Sequence, residues 1–176
     1  MKFCKFSDEV FYSGDSIVKV RRNDINQLKQ FARQTPRKRS RLCAHKDIAS
    51  SVHEMLIVHE KDIYIRPHRH MGKSESFHVI EGEADIVIFS DDGAILDLIE
   101  MSDYSGGKVF YYRLSEPLFH TVNIKSEVVV FHETTNGPFR REDLVFADWS
   151  PPDNEAEATH QFLKNLSTQL TEFKRG

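Results

Sequence analysis

From His53 onward, apolar and polar positions alternate in short runs rich in Val, Ile, Phe and Tyr, at residues 55–59, 63–66, 76–81, 84–89, 95–100, 108–113, 119–123 and 128–134. Alternation with period two places every second side chain on one face of an extended strand. The breaks hold Gly82, Asp91-Asp92-Gly93 and Ser105-Gly106-Gly107, residues that tight turns favour. Many short strands at regular spacing predict an all-β sandwich or barrel.

The N-terminal texture differs. Residues 9–12 and 17–20 read as two strands around the turn residues Ser13-Gly14-Asp15. Asn23 is placed to cap a helix over about 24–33, where Ile25, Leu28, Phe31 and Ala32 recur at helical spacing, and Pro36 closes it. A basic run follows, Arg37-Lys38-Arg39-Ser40-Arg41. After Pro151-Pro152, Phe162, Leu163, Leu166, Leu170 and Phe173 form the apolar stripe of a final helix, set against the barrel or a partner subunit. The chain thus divides into an N-terminal extension (1–52), a barrel (53–150) and a C-terminal helical segment (151–176), a single domain overall.

Composition changes this picture little. An apolar share of 39% and thirteen Phe describe a globular protein with a well-filled interior. A net charge of -3 gives no general attraction to nucleic acid or to an anionic membrane. No apolar run reaches the roughly 20 residues that a bilayer requires, and the first residues lack a signal-like apolar stretch. These features predict a cytoplasmic protein in which Cys4 and Cys43 are free thiols.

The chemistry concentrates in Pro67-His68-Arg69-His70-Met71-Gly72-Lys73-Ser74-Glu75. In a strand, His68 and His70 project side by side, about 6–7 Å apart at the backbone. Gly72 can take positive φ and reverse the chain, so that Glu75 opens the next strand facing the same point. A fourth ligand must come from a later strand, and His120 lies on one of suitable character. Three imidazoles and a carboxylate suit one divalent transition metal (Fe, Mn, Ni, Co, Cu or Zn) better than Ca or Mg. A six-coordinate ion would keep two positions for water or substrate.

His68 to Gly82 reads His-x-His, four residues, Glu, six residues, Gly, and resembles the first motif of the cupins, a family of small β-barrels. His120 stands where the histidine of the second cupin motif would. The stretches Ser40-Arg41-Leu42-Cys43-Ala44-His45, Tyr64-Ile65-Arg66-Pro67-His68-Arg69-His70, Lys73-Ser74-Glu75-Ser76-Phe77-His78-Val79-Ile80-Glu81-Gly82 and Asn136-Gly137-Pro138-Phe139 resemble the WbuC family of cupin-fold metalloproteins, over roughly residues 24–151. The resemblance implies a cupin-type double-stranded β-helix, or jelly-roll barrel, with a short N-terminal helix and a C-terminal helix. It also implies a place in bacterial gene clusters for surface polysaccharides such as O-antigen. Two departures stand out. Asp62 occupies the position where the first motif often carries Gly, and the second motif keeps Pro117 but lacks its Gly and has Asn123 one residue early.

Other residues join the site by position. Tyr64 and Arg66 precede the histidine pair by even steps and are expected to share its face. With His78 they are the catalytic candidates. Arg66 could anchor a carboxylate or phosphate, or pair with a glutamate at the barrel rim. His78, three residues after Glu75, faces the other way unless a bulge intervenes. Lys73 could meet an anion at the mouth or stay solvated. Arg39 and Arg41 of the basic run, with His45 close behind, could bind phosphate, or form a solvated face. One short basic run without interleaved aromatics argues against nucleic acid. The expectation is a metal-dependent isomerase or epimerase acting on a small anionic, carbohydrate-derived ligand. An Fe(II)-dependent dioxygenase and a non-catalytic sugar- or metabolite-binding module are the alternatives. A two-fold homodimer is the expected assembly.

Overall fold

In the computed structural model, which describes residues 1–175, the period-two runs become strands. In chain order the elements are β1 (Phe3–Lys5), β2 (Val10–Ser13), α1 (Arg22–Gln34), β3 (Arg39–Cys43), β4 (Val52–Glu60), β5 (His68–His70), β6 (Glu75–Glu81), β7 (Glu83–Phe89), β8 (Ile95–Ser102), β9 (Tyr111–Leu114), β10 (Phe119–Ile124), β11 (Val128–Asn136), β12 (Leu144–Phe146) and α2 (Ala156–Phe173). The larger sheet runs β1-β2-β3-β4-β11-β6-β9 and the smaller β12-β5-β10-β7-β8. From β4 to β12 the chain changes sheet at every step except β7 to β8. Two facing sheets wound in this way make a jelly-roll barrel, the all-β architecture that the alternation predicts.

The inner faces of the sheets enclose the main core. Ile57, Phe77, Val79 and Phe131 from the larger sheet meet Ile86, Ile88, Met101, Val122 and Ile124 from the smaller. Phe77 stacks on Phe131 with ring centroids 4.6 Å apart. Burying each such side chain contributes about 1.5–3 kcal/mol.

One helix covers the outside of each sheet. On α1, Ile25, Leu28 and Ala32 pack on Leu42, Val58 and Val130. The Asp24 carboxylate accepts the Arg21 amide at 2.7 Å and closes the first turn, so Asn23 lies inside the helix rather than capping it. On α2, Leu166 and Leu170 pack on Val87, Phe89 and Phe119. The stripe on α2 therefore meets the barrel of its own chain, while Phe173 at its end stays exposed.

Several segments differ from the pattern-based expectation, which also lacks β1 and β3. Residues 17–20 form no strand, and Ile17 is exposed; β2 finds its partners in β1 and β3 instead. Residues 63–66 join no ladder. Ile63 and Ile65 fill the interior there, while a left-handed Asp62 (φ 63°) stands where the cupin motif carries glycine. β12 was not legible, because three residues are too few to show a period. β1 to β3 extend the larger sheet, and α1 lies over it. Among the described residues no helix is long and apolar enough to cross a membrane.

Candidate metal centre

The ladder positions the histidines. β10 pairs with β5 so that His120 lies directly across from His68, and β12 holds the other side of β5. Gly72, at φ 66°, turns the chain from β5 in the smaller sheet to β6 in the larger one. Glu75 therefore approaches the histidines from the facing sheet. One ring nitrogen from each of His68, His70 and His120 lies within 4.8 Å of the others. Glu75 Oε1 is 2.8 Å from His120 Nε2, and Oε2 is 3.2 Å from His70 Nε2.

The surroundings set the tautomers. His68 Nδ1 lies 2.8 Å from the Arg66 carbonyl, and His120 Nδ1 lies 3.0 Å from the Leu118 carbonyl. A carbonyl only accepts, so both Nδ1 atoms donate and each neutral ring turns an Nε2 lone pair toward the cluster. His120 is 1% exposed, and its Nε2 has no hydrogen-bond partner of acceptable geometry despite the nearby carboxylate. A ring nitrogen facing a carboxylate in a buried place calls for positive charge between them, a proton or a metal ion.

The titration directions agree. Burial pushes the Glu75 carboxyl up, but the charge of His120, with His70 close by, outweighs it and holds it below the usual carboxylate range. Burial presses His68 down to about 3, so it is neutral near pH 7. Burial also lowers His120, yet the charge of Glu75 outweighs that effect and raises it. In the metal-free chain a proton favoured on His120 beside the ionised Glu75 supplies the positive charge that a borderline divalent ion would replace. The Tyr112 hydroxyl, 3.4 Å away, donates to Glu75 Oε1 and steadies it from β9.

The other predicted residues have definite places. Tyr64 donates to the Pro151 carbonyl at 2.9 Å and packs edge-on against Phe162 of α2, so it faces outward, away from the interior that Ile63 and Ile65 fill. Strand alternation does not carry back through Pro67, because residues 63–66 lie in no ladder. Arg66 donates to the Ser150 hydroxyl and to the Ala147 and Ser150 carbonyls at 3.1–3.2 Å, and lies over Phe146. Lys73 donates to the Pro138 carbonyl at 2.6 Å and pairs with Asp143 at 3.3 Å. Arg39 pairs with Glu9 at 3.0 Å. Arg41 is exposed, with Nη1 3.9 Å from Met55 Sδ. His45 stacks on His53 at 4.1 Å. His78 is exposed on the outer face against Phe110, as alternation from Glu75 requires.

One interior group went unread in the sequence. Glu133 on β11 follows the buried Phe131 by two residues, and in register it lies between Met55 and Phe77. Period two continued from Phe131 would have found it. Burial and the charge of Glu75 push its carboxyl up from 4.5 to about 8. Between those values the native state keeps a proton that the unfolded chain releases, so this group's contribution to stability falls as pH rises through the window. We expect metal-free Glu133→Gln to be more stable than wild type at pH 9 by about 1–3 kcal/mol, and the gain to vanish near pH 4. Urea unfolding across that range checks it. Parallel stability curves for the two proteins would refute it.

Among known proteins, a family described as a domain of unknown function (DUF6016) matches residues 20–101. No curated protein matches at a significant level. Solved structures similar to this one include the cupin domain of Schizosaccharomyces pombe Cnp3, at 9% identity over 56% of this chain and 61% of that one, with a TM-score of 0.44. A Shewanella oneidensis protein is similar at 11% identity over 58% of this chain and 66% of that one, with a TM-score of 0.46. The Staphylococcus aureus capsular polysaccharide assembling protein CapF is similar at 16% identity over 60% of this chain and 34% of that one, with the same score. The chain spans about two thirds or less of the length of each of the three.

Proposed function

We propose that the protein holds one divalent transition-metal ion on His68, His70, Glu75 and His120 and acts on a small anionic molecule derived from carbohydrate, isomerising or epimerising an intermediate of bacterial surface polysaccharide. One observation carries the metal assignment. Three imidazole donors lie within 4.8 Å of one another beside an ionised carboxylate, and the Nε2 of His120 is buried without a hydrogen-bond partner. The resemblance of residues 24–151 to the WbuC family supports the polysaccharide context.

A bound divalent ion would supply Lewis acidity, polarising a carbonyl or hydroxyl oxygen of the ligand. The chain's own residues do the rest. The Arg66 and Leu118 carbonyls fix the rings of His68 and His120, and Tyr112 fixes Glu75. This preorganises the donors before any ligand arrives. Glu133, whose carboxyl titrates near neutrality, can give or take a proton on the inner wall.

Protein purified without added metal should carry about one divalent ion per chain. Removing the ion with a chelator should lower the melting temperature by about 5–10 °C, because a ligand at a hundredfold excess over its Kd stabilises by about 2.7 kcal/mol. Returning the ion should restore it. A chain that purifies empty, and whose melting is unmoved by Fe, Mn, Ni, Co, Cu or Zn, would remove the assignment.

A further inference from the structure

The strand register lays one row of inward side chains across the larger sheet. Tyr12 on β2 is followed by Cys43 on β3, Met55 on β4, Glu133 on β11, Phe77 on β6 and Tyr112 on β9. At the β9 end the Tyr112 hydroxyl reaches Glu75 of the metal cluster. Toward the other end, Arg41 shares the face of Cys43, two residues away on β3, and extends Nη1 to within 3.9 Å of Met55 Sδ. Met55 lies directly opposite Glu133. The wall therefore presents three polar groups in order, the Glu75 cluster, Glu133 and Arg41. Adjacent strands are about 4.8 Å apart, which puts β11 about 5 Å from β6 and about 10 Å from β3.

Arg41 and Glu133 are both open. Arg37 and Arg39, its neighbours in the basic run, are both engaged by Glu9 at 2.6 and 3.0 Å. The one polar contact of the Arg41 guanidinium among the described residues is a thioether, a weak acceptor. Glu133 is half-buried between Met55 and Phe77, and among the described residues no side chain or backbone group pairs with it. An unpartnered carboxyl group in an apolar wall costs stability whether or not it holds its proton, so its natural complement is a polar group that arrives from outside. The charge of Arg41 reaches Glu133 across Met55, yet the two form no ion pair, so each keeps its hydrogen-bonding capacity for a third group.

We infer that the wall from Glu75 to Arg41 is a subsite for a monosaccharide bearing one carboxylate or phosphate. Arg41 takes the anion through its paired N–H donors, Glu133 accepts from a ring hydroxyl, and an oxygen at the far end reaches the metal cluster. A guanidinium fork fits carboxylate and phosphate alike. This subsite rests on the metal reading above.

The test uses the full chain loaded with Mn(II), titrated calorimetrically with D-glucuronate, D-glucose 6-phosphate and D-glucose. At least one of the two anions should bind, and neutral glucose at least about tenfold more weakly. Arg41→Met should weaken the anion by about 10- to 100-fold, as expected for losing a charge-assisted hydrogen bond, with Mn(II) content unchanged. Glu133→Gln should weaken the sugar anion about fivefold and leave inorganic phosphate and acetate as they were. Which anion binds tells a sugar acid from a sugar phosphate. Wild-type affinity in Arg41→Met at full Mn(II) occupancy would overturn the subsite, as would failure of both anions to bind the loaded protein. A chain that takes up neither Mn(II) nor Fe, Ni, Co, Cu or Zn is seen before any sugar is added, and sinks the metal reading with the subsite.

Discussion

The His68→Ala/His70→Ala double variant should purify with less than a tenth of the metal that the wild-type chain carries. Both imidazoles come from β5, and each faces the cluster beside His120 and Glu75. Changes only to groups that support a ligand cost about 10- to 100-fold in metal affinity, so removing two direct ligands should cost at least about a thousandfold. The pair is chosen because both residues are half-buried. His120 is almost wholly enclosed, so truncating it would open a cavity and mix a folding defect with a binding one. Metal analysis beside a circular dichroism melt separates the two effects. A folded double variant that keeps stoichiometric metal would falsify the assignment of these ligands.

Gly82→Ala should cost about 3–5 kcal/mol. Gly82 sits at the crossing from β6 to β7 with φ at 85°, where L residues pay about 1–2 kcal/mol. A Cβ there would also run into the Val128 carbonyl oxygen and the Ser126 hydroxyl. Ser126 has no room to yield, since its hydroxyl accepts the Glu83 amide at 2.8 Å and donates to Val128 O at 2.7 Å. The crossing would have to move, and with it the start of β11. Gly72→Ala is the control. Its φ is 66°, but a Cβ meets nothing within 4 Å, so only the backbone cost of about 1–2 kcal/mol applies. Urea unfolding of both variants checks the contrast. Equal losses would show that the Val128 contact does not matter.

Much of the site was readable because it is local. His68, His70 and Glu75 lie within eight residues, and strand period plus one glycine turn brings them together. His120 needed more, since only the β5–β10 ladder sets it opposite His68. Tyr64 and Arg66 show where local reading stops. Even spacing implied the face of His68, but residues 63–66 have no ladder to enforce it, and the 147–151 segment and α2 draw both side chains. Glu133 was missed because an acidic residue in an apolar run reads as solvent-facing until the run's inward face is known.

Sequence alone determined the β-barrel class, the helix stripes and the β5–β6 half of the histidine–glutamate cluster. Each is a repeat or turn within a few residues, where backbone geometry dictates which side chains share a face. Only the tertiary structure decided that His120 completes the cluster, that β1 to β3 extend the larger sheet, and that Arg41 and Glu133 stand along one wall leading to it. Those relations join strands far apart in the chain, and they follow from register and from facing sheets, which no local spacing encodes.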